Sequence, residues 1–386
     1  MIRTDQFRKS LVKLKQRRFK KWYLLLAILL CGSGFVLFFK EDPISLAKER
    51  LKTKGFSVKP APRSNSIDRS IHDVKRFFNM EEIRVTRTDY YTVIESLKGV
   101  EELNTLSPFI ESLNCGLTKV RDSDALVIGK MHQLRRLQIY GPDLTNQGVS
   151  ALSELKDLEW LELYAPQATE EGLSWLHRCT QLHRLFLTDA RLGTRTLQQI
   201  ANHRKLSRID MQGTDVKSTD LQYLTELPVL HMLELNGTFL DEKAAPYFRQ
   251  MKSLGTLHLN ETEVGDQVCQ ALATLPKLNS LILDDTLITD QGVQLLLEGC
   301  PELKDLSIRR CDITDKAFAA VKSWPVKLER LNVTGNKLTG AEILKILNDH
   351  ESLESIGYNS KNFDPDIVKQ IDSITEARLH RSLYGR

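Results

Sequence analysis

From Leu134 onward the chain repeats one arrangement of apolar positions, L-x-x-L-x-L with Ile, Val or Met allowed. It starts at Leu134, Leu158, Leu182, Leu206, Leu230, Leu254, Leu278, Leu303, Leu328 and Leu353. Successive starts lie 24 residues apart six times and then 25 apart three times. Ile110, Leu113 and Cys115 carry the period one step upstream, so about eleven repeats fit within residues 110–360. A period of this length marks a solenoid, in which each unit buries its apolar face only against its neighbours.

Each unit divides into two halves of different periodicity. The alternation in L-x-x-L-x-L predicts a short strand, with its first, fourth and sixth residues in the core. The second, third, fifth, seventh and eighth residues then face the hollow side. Eight positions after each start comes a small polar residue, as at Thr214, Thr238, Thr262, Thr286 and Asn336. Such side chains can bond backbone groups where the strand turns away, and are expected to form a ladder along the stack. Next comes an apolar residue with a helix-start signal, as in Leu144-Thr145-Asn146, Ile288-Thr289-Asp290 and Ile313-Thr314-Asp315. Spacing then turns helical, as at Val293, Leu296 and Leu297, and Leu-Pro or Cys-Pro pairs at 227–228, 275–276 and 300–301 stop the helix. The expected unit is strand, turn, helix.

The segments Ile288-Thr-Asp-Gln-Gly-Val293, Cys179-x-x-Leu182 and Cys300-Pro-x-Leu303 resemble the leucine-rich repeat family, in particular its cysteine-containing, ribonuclease-inhibitor-like branch. The resemblance implies an α/β solenoid, a horseshoe of 24–25-residue strand-turn-helix repeats that recognises ligands on its concave face. It implies no shared chemistry, because the family is a scaffold.

In front of the repeats, Tyr23–Phe39 is 17 residues without a charge, preceded by Trp22 and closed by Lys40. A helix of that length is about 26 Å long, at the short end of what spans a bilayer. No A-x-A cleavage site follows, and Leu30 before Cys31 does not suit a lipoprotein signal. The segment 22–39 is therefore expected to be an uncleaved transmembrane signal-anchor. Nine basic residues fall in 3–21 and six in 40–59, which favours a cytoplasmic N-terminus with the repeats outside the cytoplasm. An anchor joined to such repeats is similar to envelope-anchored bacterial leucine-rich repeat proteins. The expected organisation is a basic tail at 1–21, the anchor at 22–39, a juxtamembrane linker at 40–66, an N-terminal cap at 67–109, repeats at 110–360 and a C-terminal cap at 361–386. In the alternative the span is misread and the chain is an intracellular adaptor, of the kind that carries an F-box for ubiquitin ligases. No convincing F-box occurs in 41–109, and that segment is too short for most catalytic folds.

Charge narrows the partners. The net value is +4. Residues 1–22 carry nine Lys/Arg against one Asp, and residues 40–76 carry ten against five Asp/Glu, which leaves 77–386 at −9. The repeats therefore lack the basic footprint of a nucleic-acid binder. Six cysteines without a C-x-x-C support neither a zinc site nor a thioredoxin motif, and core positions for Cys115, Cys179 and Cys300 imply buried free thiols. No phosphate-loop, nucleophile-elbow or H-E-x-x-H motif occurs. Three sequons, at Asn236, Asn260 and Asn332, are explained by the repeat's own polar positions. No cofactor and no catalytic residue is expected.

On the hollow side the early repeats place Tyr140, Trp160, Tyr164, Arg184, Phe186 and Arg208, with Arg136 beside them. Alternate residues already fill the core, so these aromatics sit on an open face, and rings mixed with Arg are the composition of interface hot spots. They are the candidate site for a protein ligand. The late repeats place Asp284, Asp285, Arg309 and Arg310 on the same side. Glu234 and His258 fall on neighbouring strands, and His231 is the only further candidate for a metal ligand, which leaves a metal site incomplete.

Overall fold

The computed structural model describes residues 111–384. The tail, anchor and linker read at 1–66 and the cap read at 67–109 lie outside the described residues. The chain divides into two units, and the described residues all belong to the one containing Ser107–Arg386.

Eleven strands run in sequence order through one parallel sheet, an α/β solenoid of leucine-rich repeats. β1 (Ser112–Lys119) pairs with β2 (Arg136–Tyr140), followed by β3 (Trp160–Tyr164), β4 (Arg184–Thr188) and β5 (Arg208–Asp210). Then come β6 (Met232–Glu234), β7 (Thr256–His258), β8 (Ser280–Ile282), β9 (Asp305–Ser307), β10 (Arg330–Asn332) and β11 (Ser355–Gly357). Each residue pairs with its equivalent one repeat later, as Leu233 with Leu257 and Leu257 with Leu281. The first, fourth and sixth positions are buried as the pattern requires: Leu230, Leu233 and Leu235 are typical. Cys115 fills the sixth slot of the first repeat, and the described cysteines are all buried free thiols. Burial pushes Cys115, Cys179 and Cys300 up to about 12, so none of the three is a ready nucleophile.

The back of the solenoid departs from the uniform helix expected. Seven repeats carry an α-helical segment there: α1 (Asp122–Ile128), α2 (Asn146–Ser150), α3 (Gly193–Ile200), α4 (Ala245–Phe248), α5 (Asp266–Leu272), α6 (Asp290–Gly299) and α7 (Lys316–Ala319). An eighth, α8 (Gly340–Asp349), belongs to the tenth repeat. Ser174–Arg178 and Ser218–Tyr223 form 3₁₀ turns instead.

Two ladders of side chains join the repeats. At the helix starts, Thr289 accepts from Gln291 N as an N-cap and also bonds Asp266 of the preceding repeat through its own N–H and hydroxyl, at 2.9 and 2.5 Å. Its neighbour Asp290 receives Thr314 in the same way, and Asp315 receives Thr339. Gly292 permits this, since a Cβ there would lie 2.3 Å from Asp266 Oδ1. Every residue of Ile288-Thr-Asp-Gln-Gly-Val293 except Gln291's side chain thus has a role in core, cap or ladder.

The second ladder corrects an expectation. Thr214, Thr238, Thr262 and Thr286 each donate the hydroxyl to the carbonyl three residues earlier, at 2.6–2.7 Å, and of the four Thr286 also meets the next repeat, 3.6 Å from Cys311 Sγ. Rungs between repeats form two positions upstream, where Asn236 Oδ1 accepts from Asn260 N and Asn260 Oδ1 from Asp284 N, both at 3.0 Å. These threonine hydroxyls mainly close their own turns, whereas an asparagine or aspartate at the strand end reaches the backbone of the next strand. Asn336 does cross, donating to Ile308 O and accepting from Cys311 N. The sequons at Asn236 and Asn260 are therefore structural positions, and Asn332 instead lies within β10.

Between the two ladder positions the chain passes through a left-handed residue in repeat after repeat. Asp189, Gly213, Gly237, Glu261, Asp285, Arg310 and Gly335 all have φ between 52 and 82°. At the far end α9 (Pro365–Tyr384) packs against α8 and β11. Arg378 donates to the carbonyls of Leu347, His350 and Leu353 at 2.7–2.9 Å, satisfying groups left open at the end of α8.

Candidate functional site

The open face of β2 to β7 is built in rows, because successive strands align equivalent residues about 4.8 Å apart. The first row is Arg136, Trp160, Arg184, Arg208, Met232 and Thr256. A middle row is Gln138, Glu162, Phe186, Asp210, Glu234 and His258. The third begins with Tyr140, Tyr164 and Thr188. Alternation alone puts these residues outward, since Leu137, Ile139 and their equivalents point into the core.

The candidate residues come together. Tyr140 and Tyr164 stack with ring centroids 4.9 Å apart, and Trp160 meets Phe186 edge-on at 6.3 Å. The Arg184 guanidinium lies over the Trp160 ring at 4.9 Å, a cation–π contact. All five are half-buried, while Arg208 is exposed one strand further on. The Trp160 indole N–H is covered and has no hydrogen-bond acceptor. One rim of the face is thus aromatic and cationic.

The middle row was not among the residues the sequence singled out, apart from Phe186, Glu234 and His258. Its carboxylates are crowded. Gln138 donates to Glu162 at 2.6 Å, and His258 Nδ1 lies 3.3 Å from Glu234 Oε2. Burial pushes Asp210 up to about 6; the Gln212 N–H opposes this, Glu234 and Glu162 add to it, and His258 opposes it. Burial also raises Glu162, against the Gln138 hydrogen bond. Arg184 is turned onto Trp160, and Arg208 is exposed one strand further on. Reading the fifth residue of every repeat as a column would have found this row, because the repeat period is the strand register.

Elsewhere the late-repeat residues turn out to be structural. Asp284 is buried and accepts from Ser307 Oγ at 2.6 Å and Arg309 N at 2.9 Å. Asp285 and Arg310 occupy left-handed turn positions and pair with each other. His231 does not join Glu234 and His258; its ring lies against Gly255, where a Cβ would come within 2.1 Å of it. Among the described residues no group of three or more His, Cys, Asp or Glu side chains is placed to hold a metal ion. No helix among them is long and apolar enough to cross a membrane.

The chain matches no family model and no curated protein. Among solved structures it is similar to an internalin, InlF of Listeria monocytogenes, at 18% identity and TM-score 0.48, over 81% of this chain and 96% of that one. It is also similar to the Rad7 and Elc1 complex of yeast, at 19% identity and TM-score 0.43, over 62% and 74%. The plant peptide hormone receptor RGFR1, in complex with RGF2, is 13% identical with TM-score 0.46, over 76% and 49%. None of these likenesses is close enough to bear on what this chain binds, and the reading below rests on its own residues.

Proposed function

We propose that this chain is a non-catalytic recognition protein, held at a membrane by residues 22–39, that binds a protein ligand on the open face of β2 to β5. The observation that carries this reading is the aromatic cluster Tyr140, Trp160, Tyr164 and Phe186 on three consecutive strands, with Arg184 stacked on it. Rings on this side are not needed to fill the core, and aromatics with Arg dominate the energetics of protein interfaces. Buried Cys179 and Cys300, each donating to a carbonyl one repeat back, support a likeness to the cysteine-containing branch. The apolar segment and the basic residues before it support an anchor with a cytoplasmic N-terminus and the repeats outside the cytoplasm.

Capture with the full chain tests the reading. A bound protein should be retained by Thr256→Ala, on the same face four strands from Trp160, and lost with Trp160→Ala at unchanged melting temperature. Equal capture by both variants overturns the assignment of the face. Protease applied outside the cytoplasmic membrane should digest the repeats, and a carbonate-extractable chain would return the intracellular adaptor as the better reading.

A further inference from the structure

The inference deepens the proposed recognition role and rests on it. We propose that the face between β3 and β7 takes an extended polypeptide segment that presents Lys or Arg side chains to Glu162, Asp210 and Glu234, with aromatic or aliphatic neighbours on the adjacent rings.

Three observations carry this. First, strand register puts the three carboxylates in one row with Phe186 between Glu162 and Asp210, so an apolar platform divides two anionic positions. Second, among the described residues the ion pair on this row is that of His258 with Glu234. Gln138 and the Gln212 N–H donate to it without charge, and His258 touches only Glu234. The arginines stand in a different row, Arg184 engaged with Trp160. A cationic partner group would therefore meet half-buried carboxylates, which interact more strongly than exposed ones. Third, the rings sit on both sides. Trp160 is in the row before the carboxylates, and the Tyr140–Tyr164 stack is in the row after.

Dimensions fit such a segment. The row from Glu162 on β3 to Glu234 on β6 spans three strand spacings, about 14 Å. Extended chain rises about 3.4 Å per residue, so side chains two apart on one face recur about every 6.8 Å. A segment alternating cationic and aromatic residues, laid edge-on so that its side chains flank the backbone along the sheet surface, thus offers two or three cations to the row and turns its rings toward the neighbouring one.

The probe is a fluorescein-labelled nonapeptide alternating Lys and Tyr, compared with versions carrying Gln or Glu in place of Lys. Anisotropy is measured on the full chain in detergent at pH 7.5. The Lys peptide should bind roughly ten-fold or more tighter than the Gln peptide, and the Glu peptide weakest. The double variant Glu162→Gln/Asp210→Asn should bring the Lys peptide down to the Gln level while melting no lower than the parent. Equal binding of Lys and Gln peptides, no binding of the Lys peptide, or undiminished binding by the folded double variant overturns the inference. Trp160→Ala separates the two readings. If it abolishes capture of the protein ligand while the carboxylate variants change nothing, the recognition face stands and the cationic ligand falls.

Discussion

The hydroxyl of Thr289 donates to Asp266 Oδ2, 23 residues earlier, and Gly292 is the residue that leaves room for that carboxylate. Sequence-local motifs thus hold the stack together between repeats. Asp266→Ala removes two hydrogen bonds to a charged acceptor and is expected to destabilise by about 1–3 kcal/mol. Gly292→Ala is expected to destabilise as well, although alanine is the better helix former by about 1 kcal/mol. The two changes break the same contact, so the double variant should lose less than the sum. Urea unfolding of the four-member cycle measures the difference, and strict additivity would show that the glycine is there for another reason.

Core register has its own test. Leu257 is fully buried between Leu233 and Leu281 on the adjoining strands. Leu257→Ala should cost about 2–5 kcal/mol. Because each repeat touches only its neighbours, damage in the middle of the stack is expected to divide the thermal transition in two. A melt indistinguishable from the parent would contradict the register.

The left-handed turn position offers changes of opposite sign. Glu261 holds φ at 57°, where L-residues pay about 1–2 kcal/mol, and Glu261→Gly is expected to stabilise by about 1 kcal/mol. One repeat earlier Gly237 has φ 62°, and a Cβ there would meet nothing closer than 3.9 Å. Gly237→Ala should therefore destabilise by a similar amount through backbone strain alone. Denaturation midpoints of the two variants should move in opposite directions.

Asp210 links stability to pH. Its carboxyl is held at about 6 by burial, above the ordinary carboxylate value, so the fold favours the neutral form. The contribution is fully present below the unfolded value and is lost as pH rises through about 6. Asp210→Asn should raise the stability at pH 7.5 by ~1–2 kcal/mol, discounted for partial exposure, with no gain at pH 3. A gain of equal size at both values would mean that packing, not charge, is responsible.

Binding should run the other way. A cationic segment needs Asp210 ionised, and the groups facing it are Glu162 on β3, Arg184 on β4, Arg208 on its own strand, Glu234 on β6 and His258 on β7. Affinity of the Lys peptide is expected to rise as pH increases from 5 to 7.5, steepest near 6. A profile flat across this window, or falling with pH, would exclude ionisation of Asp210 as a requirement.

Much of the fold was legible because its repeat length is also its strand register. Once Leu233 and Leu257 are aligned in sequence they are partners in space, and the core positions follow. The outward aromatics followed from the same alternation. Less legible was the chemistry between repeats. Thr214 and Asn236 both look like turn-bonding residues, but Thr214 bonds within its own repeat while Asn236 crosses to the next. Nor does composition distinguish the Asp284 of the structural rungs from the Asp210 of the open face, because both read as polar residues on the outward side of a strand. Burial separates them, and burial depends on neighbours that a single repeat does not contain.

Arg378 gives the order of the chain a consequence during synthesis. Repeats emerging from the ribosome can stack one on another as soon as each is complete. The carbonyls of Leu347, His350 and Leu353 must wait for a side chain some 25 to 31 residues further on. A nascent chain arrested short of residue 378 would therefore carry a nearly finished solenoid with its last helix end still wet. Premature stop codons in α9 should accordingly expose the final repeat to proteases, leaving the earlier ones intact.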